Sequence, residues 1–332
     1  MSPRPSDVPP PVTAVLDAAG TWLPNRLGAV ETGLREAARD HGPALEQDAT
    51  ATLVAGGKRL RPLLVLLCAG GEGGDAAVRA AIAVELVHMA TLVHDDVLDA
   101  APLRRGRPTV AATSGRGRAT STGDLLFSRA FALLANAGDG EQVSLLSEAS
   151  VALARGELTQ RRDAYDISVT AERYLERCRL KTARLFECAC MMGWTARNAG
   201  ADRGGAAELC EFGSEIGLAF QLLDDVLDVS GPPERTGKAR GTDLLDGTVT
   251  LPLILAVERD ASLREVELRD LDPTSAELLC DRIAATGSLE DVRARALEMV
   301  AAAKRDLAGP AFDAEQRDLL ALVADGVVER YS

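Results

Sequence analysis

Lysine is scarce in this chain. Of 37 basic residues only Lys58, Lys181, Lys238 and Lys304 are lysine, so wherever one stands, arginine has been passed over. Positive charge is short altogether: the formal net charge is −13, which argues against a nucleic-acid partner, because such binding draws most of its affinity from a basic face. No uninterrupted apolar run reaches the roughly 18 residues of a membrane span. The first twelve residues, with Pro3, Pro5, Pro9, Pro10 and Pro11, lack the basic and apolar regions of a targeting peptide. A cytoplasmic protein is expected. The six cysteines lack paired zinc-ligand spacing and sit in apolar surroundings, so buried thiols are expected. Strand-like alternation is missing too.

What is present is helical periodicity. Apolar residues recur at spacings of three and four through residues 12–23, 76–97, 125–134, 143–158, 174–192, 209–229, 276–283, 292–307 and 319–328. Gly-, Pro- or Asp-rich breaks fall at 70–74, 101–117, 137–140, 198–205, 231–247 and 271–274, none long enough to link two domains. The expectation is an all-α single domain over residues 13–332, behind a disordered Pro-rich leader at 1–12.

Against that background one pentapeptide occurs twice, Asp-Asp-Val-Leu-Asp at residues 95–99 and again at 224–228, each time after an apolar helical run. Asp95 and Asp99 lie one helical turn apart on one face, where like charges repel by a few tenths of a kcal/mol. A solvated helix end would account for either copy alone. Two copies point to a cation, and oxygen-only ligands suit magnesium, which takes one or two carboxylates together with phosphate oxygens and waters. Lys58 lies in Gly-Gly-Lys-Arg-Leu-Arg-Pro, Lys181 in Leu-Lys-Thr-Ala, and Lys238 follows the second motif. An ammonium is a compact point charge where arginine is a planar fork, so a retained lysine suggests a phosphate contact. Arg104 and Arg105 follow the first motif closely. His88 sits two turns before Asp95, where a satisfied core histidine is the ordinary reading, as it is for His94.

Taken in order, residues 56–62 (GGKRLRP), 85–99 (ELVHMATLVHDDVLD), 104–109 (RRGRPT), 123–131 (GDLLFSRAF), Lys181-Thr182, 221–228 (QLLDDVLD) and 237–252 (GKARGTDLLDGTVTLP) resemble the trans-type (all-E) polyprenyl diphosphate synthases over nearly the whole chain. The resemblance implies an isoprenoid-synthase-type helical bundle around a central cavity. It implies a transferase that joins isopentenyl diphosphate to an allylic prenyl diphosphate. By resemblance Asp95, Asp99 and Asp224 hold about three magnesium ions, assisted by Asp96, Asp225 and Asp228. Arg104, Lys181, Thr182, Gln221 and Lys238 take the allylic diphosphate, while Lys58, Arg61, His88 and Arg105 take isopentenyl diphosphate. Asp95, Asp99, Asp224, Lys181 and Arg104 would carry the chemistry, stabilising departing pyrophosphate. Thr248 stands where the family often has lysine. A homodimer is implied, and a heteromer is compatible.

In this family bulky side chains before the first Asp motif stop the growing tail. Here Ala90 and Thr91 are small and Val87 lies deeper, so products of roughly C30 to C50 are expected, with a C20 geranylgeranyl diphosphate synthase as the alternative. A cyclase on the same fold is opposed by the second Asp motif and by only 3% aromatic residues to face cations. A noncatalytic subunit or scaffold is opposed by the intact Asp and Lys residues.

Overall fold

The structure, a computed structural model, describes residues 10–198, 204–231, 240–309 and 311–329. In chain order the helices are α1 Pro10–Ala18, α2 Trp22–Ala37, α3 Pro43–Val54, α4 Leu60–Ala69, α5 Gly74–Leu98, α6 Val110–Ser114, α7 Arg116–Asn136, α8 Gly140–Arg162 and α9 Ala171–Cys178. A π-helical turn, Arg179–Ala183, leads into α10 Arg184–Asn198, followed by α11 Ala206–Ser230, α12 Thr242–Leu245, α13 Leu251–Arg259, α14 Pro273–Ala285, α15 Ser288–Asp306 and α16 Ala314–Glu329. The class is all-α.

Around α5 the bundle is closed by α2, α4, α7 and α10, while α11 packs on α10 and α15. Buried residues from these helices form one continuous hydrophobic cluster. Because α5 is surrounded, its apolar residues wrap all round it instead of forming a stripe. It is long and apolar enough by length and composition to cross a membrane, and 67% of its most apolar stretch is buried inside the protein. Those are the marks of a core helix.

Several sequence expectations shift. The first helix begins at Pro10, inside the stretch read as a leader, because proline is tolerated in a first turn, where its missing N–H costs nothing. The periodic run 12–23 is two helices, broken at Gly20 with φ +65. Among the described residues one strand pair exists, Leu103–Arg104 against Arg107–Pro108, turned by Arg105 (φ 53) and Gly106 (φ 72). Two residues of positive φ make the tight hairpin that suits such a short ribbon. It fixes the two arginines directly after the first Asp motif. All six cysteines are free thiols, five of them buried and Cys210 half-buried.

Candidate active site

The two Asp motifs sit at comparable places on two core helices. Asp95 and Asp96 lie in the last turn of α5, and Asp99 caps it, its N–H donating to the Asp95 carbonyl at 2.8 Å. Their three carboxylates have different surroundings. Asp96 is buried and accepts from Arg104 Nε at 2.7 Å. Asp99 accepts from the Arg161 guanidinium of α8, which also donates to Glu157 at 2.7 Å. Asp95 faces Lys181, and its carboxyl is pushed up to about 6, foremost by burial and further by Glu157 and Asp99, against the pull of Lys181 and Arg104. The repulsion expected from the spacing is therefore present and only partly relieved.

On α11 Asp225 is 2% exposed and accepts hydrogen bonds from the Tyr174 hydroxyl and from Gln221 Nε2, the latter at 2.8 Å. Burial and the neighbouring Asp243 raise its pKa, while Tyr174, Gln221 and Arg177 hold it down. Asp228 accepts the Asp243 N–H at 3.2 Å through its side chain and the Gly241 N–H at 3.0 Å through its carbonyl, which ties the following loop to the motif. Asp224, half-buried, lies close enough to Arg61 to act on it electrostatically.

Between the motifs runs the π turn. The extra residue in such a turn displaces successive side chains from the ordinary helical positions, and adjacent residues here serve opposite walls. Lys181 pairs with Glu157 beside Asp95, while Thr182 Oγ1 donates to Gln221 Oε1 at 2.8 Å. Two glycines allow the close approach. A Cβ on Gly156 of α8 would stand 2.7 Å from the Lys181 backbone nitrogen, and one on Gly217 of α11 would stand 2.7 Å from Ala183 Cα.

Cations crowd the middle of α5, one to three turns before the Asp motif. Arg59, held at φ +49 before α4, pairs with Glu31 and with buried Glu85, at 2.9 Å from the latter. Arg61 stacks 4.6 Å over the Phe186 ring, and burial and Arg105 lower its pKa to about 10 against the pull of Glu85 and Asp224. Burial, then Arg61, Arg105, Arg104 and Arg59, depress the His88 imidazole, which is accordingly neutral. A cavity of about 760 Å³ opens beside these groups, lined by Arg59, Glu85, His88, Asp96, Arg104 and Arg105 together with α3 and α6. At 100° per residue its α5 wall is turned away from Val87 and Ala90, both 0% exposed. Thr91 is half-buried and donates to the His88 carbonyl at 2.7 Å.

The α5 and α11 carboxylates, Lys181, Thr182, Gln221, Arg61, His88 and the arginine hairpin thus share one region. Lys58 is exposed on the loop before α4. Lys238 lies outside the described residues. His94, next to Asp95, turns instead to α7, stacking at 6.0 Å on Phe127 over Gly123, where any Cβ would strike the imidazole. Lys304 pairs with Asp325 at 2.8 Å and has no part in the site. The sequence reading did not single out Tyr174, Glu157, Arg161, Arg59 and Glu85. None carries a signal of its own until its partner, 26 positions away for Arg59–Glu85 and 51 for Tyr174–Asp225, is known. Among the described residues no three His, Cys, Asp or Glu side chains converge into a closed metal cluster.

Comparison with known proteins bears on this arrangement. The sequence profile of the polyprenyl synthetase family matches residues 43–276. Heptaprenyl diphosphate synthase component 2 of Geobacillus stearothermophilus is 42% identical over 244 residues, 73% of this chain and 76% of that protein. A short chain isoprenyl diphosphate synthase of Methanothermobacter thermautotrophicus is 36% identical over 314 residues, covering 90% and 94%. The crystal structure of a decaprenyl diphosphate synthase from Rhodobacter capsulatus superposes with TM-score 0.87 at 34% identity, over 95% of this chain and 99% of that one. With an Asp motif on each of two core helices and this extent of similarity, the chain belongs to the polyprenyl synthetase family and is an alkyl-transferring prenyl diphosphate synthase.

Proposed function

We propose that this enzyme condenses isopentenyl diphosphate with an allylic prenyl diphosphate to make an all-E polyprenyl diphosphate of roughly C30 to C50. The observation that carries the reading is the π turn, whose adjacent Lys181 and Thr182 serve the first and the second Asp motif.

The donor set fits magnesium. Asp95, Asp99 and Asp224 offer hard carboxylate oxygens without nitrogen or sulfur ligands, and an open arrangement suits a cation completed by phosphate oxygens and waters. The desolvated, self-repelling Asp95 supports the same fit. When bound, magnesium would supply Lewis-acid stabilisation of the departing pyrophosphate. On the resemblance Asp96, Asp225 and Asp228 then act as supports, and hydrogen bonds to Arg104, Gln221 and the Asp243 N–H engage them in turn. Lys181, Thr182, Gln221 and Arg104 bind and orient the allylic diphosphate, with Lys238 added on the resemblance. Lys58, Arg61, Arg105 and neutral His88 hold isopentenyl diphosphate, the arginines through charge and the imidazole through a hydrogen bond. Clamping both diphosphates brings the isopentenyl double bond to the allylic carbon as its C–O bond breaks, and the released proton passes to pyrophosphate.

Small side chains support the chain-length assignment. Ala90, Val87 and Thr91 put no bulk under the first motif, and the relatives include heptaprenyl and decaprenyl synthases. A relative named geranylgeranyl diphosphate synthase, from Methanosarcina mazei, keeps C20 as the second reading. On the resemblance alone we propose a homodimer. The component 2 relative favours as second reading the catalytic member of a two-component enzyme.

Purified protein with magnesium, isopentenyl diphosphate and each allylic primer should yield C30 to C50 diphosphates by chain-length chromatography, and Ala90→Phe should shorten them. Elongation that stops at C20, or a length unmoved by Ala90→Phe, sinks the chain-length assignment. No elongation with any primer sinks the reaction for the chain acting alone.

A further inference from the structure

We propose that Tyr174 is a positioning residue for the allylic diphosphate site, acting through Asp225 on Gln221 and Thr182. The inference rests on the condensation reading above and adds a residue to it.

Tyr174 is 0% exposed on α9, and its hydroxyl donates to one carboxylate oxygen of Asp225. The other oxygen accepts from Gln221 Nε2 at 2.8 Å, and Gln221 Oε1 accepts from Thr182 Oγ1 at 2.8 Å. Each bond sets the direction of the next. With both Asp225 oxygens accepting, the Gln221 amide must present its NH₂ to the carboxylate and its oxygen to Thr182, so amide orientation is not left to rotation. The two groups at the end of the relay, Gln221 and Thr182, are those assigned to the allylic diphosphate. Tyr174 touches none of the reacting atoms.

The residue is itself held from outside the site. Arg177, one turn further along α9, lies 5.3 Å from the Tyr174 ring centre and donates to the Val249 carbonyl at 2.6 Å. Upstream, Asp163 takes Arg173 of α9 at 2.8 Å, and the Tyr165 N–H donates to the Gly247 carbonyl at 2.7 Å. Helix α9 is thereby pinned to the loop that Asp228 and Asp243 tie to the second motif. A ring alone would fill the core position equally well. The hydroxyl is what reaches Asp225, and a buried tyrosine hydroxyl needs such a partner.

Tyr174→Phe keeps the ring and removes the bond. The expected result is a rise of about tenfold in KM for the allylic primer, with KM for isopentenyl diphosphate within twofold of wild type. The dissociation constant for inorganic pyrophosphate with magnesium, read by calorimetry without turnover, should rise by a similar factor. In a Gln221→Leu background the same substitution should add less than twofold, because the relay is already cut. An unchanged allylic KM, equal changes in both KM values, additive effects in the double variant, or an unfolded Tyr174→Phe protein would each overturn the proposal. Wild-type protein run alongside separates the cases, since absence of elongation there overturns the condensation reading itself.

Discussion

A carboxylic acid removed from water beside other carboxylates holds its proton more tightly, and Asp95 is so placed among Asp99 and Glu157. With a folded-state pKa of about 6 against an ordinary value of 3.8, the folded protein binds a proton there that the unfolded chain releases, so stability falls as pH rises from about 4 to about 6 and the penalty is complete above that. After solvent screening this amounts to about 1–3 kcal/mol. Urea titrations across that window should show the ligand-free wild type losing stability relative to Asp95→Asn as pH rises. Parallel curves would mean that Asp95 carries no such strain. The same window should flatten when magnesium and pyrophosphate are added, since bound cation favours the ionised carboxylate.

At the scale of elements the π turn decides where Lys181 and Thr182 stand, and the glycines of α8 and α11 decide how near their helices come. Gly217→Ala would place a methyl group against Ala183 where neither backbone can yield easily, at a cost of about 1–3 kcal/mol. Thermal melting should register that loss, and KM for the allylic primer should rise, because Thr182 moves with the turn. A stable Gly217→Ala enzyme with unaltered kinetics would show that the contact has slack. The periodicity of residues 174–192 announces a helix there, but nothing in it reveals a π turn, since one extra residue leaves the apolar spacing nearly intact. Helix α3 also escapes the sequence reading, because Gln47, Asp48, Thr50 and Thr52 interrupt any apolar stripe. So does α4, whose residues 63–69 are all buried and hence apolar without period.

For the whole molecule, a ligand gripped by α5 and α11 at once stabilises the bundle that holds both. Magnesium with pyrophosphate at a hundredfold excess over its dissociation constant should add about 2.7 kcal/mol, seen as a melting temperature raised by a few degrees. Either component alone should do much less, and Asp224→Asn should abolish most of the joint effect. A full shift from pyrophosphate alone would place its site at the arginine cluster of Arg61 and Arg105, away from the Asp motifs.

Fold class and family were legible in sequence because both rest on local regularities. Helical spacing follows from 3.6 residues per turn, and the family is carried by short motifs such as the two identical Asp pentapeptides, each readable within a few residues. Which carboxylate does what was not local. Asp95, Asp96 and Asp99 share one pentapeptide, yet one faces Lys181, one is locked by Arg104 from the hairpin that follows and one is held by Arg161, the lysine and Arg161 being brought in by distant stretches of chain. Tertiary packing alone decided the pairings of Asp95 and Asp99, and with them the burial that sets Asp95 apart and the relay from Tyr174 to Thr182. Electrostatic character depends on what surrounds a group after folding, and residues far apart in sequence supply those surroundings.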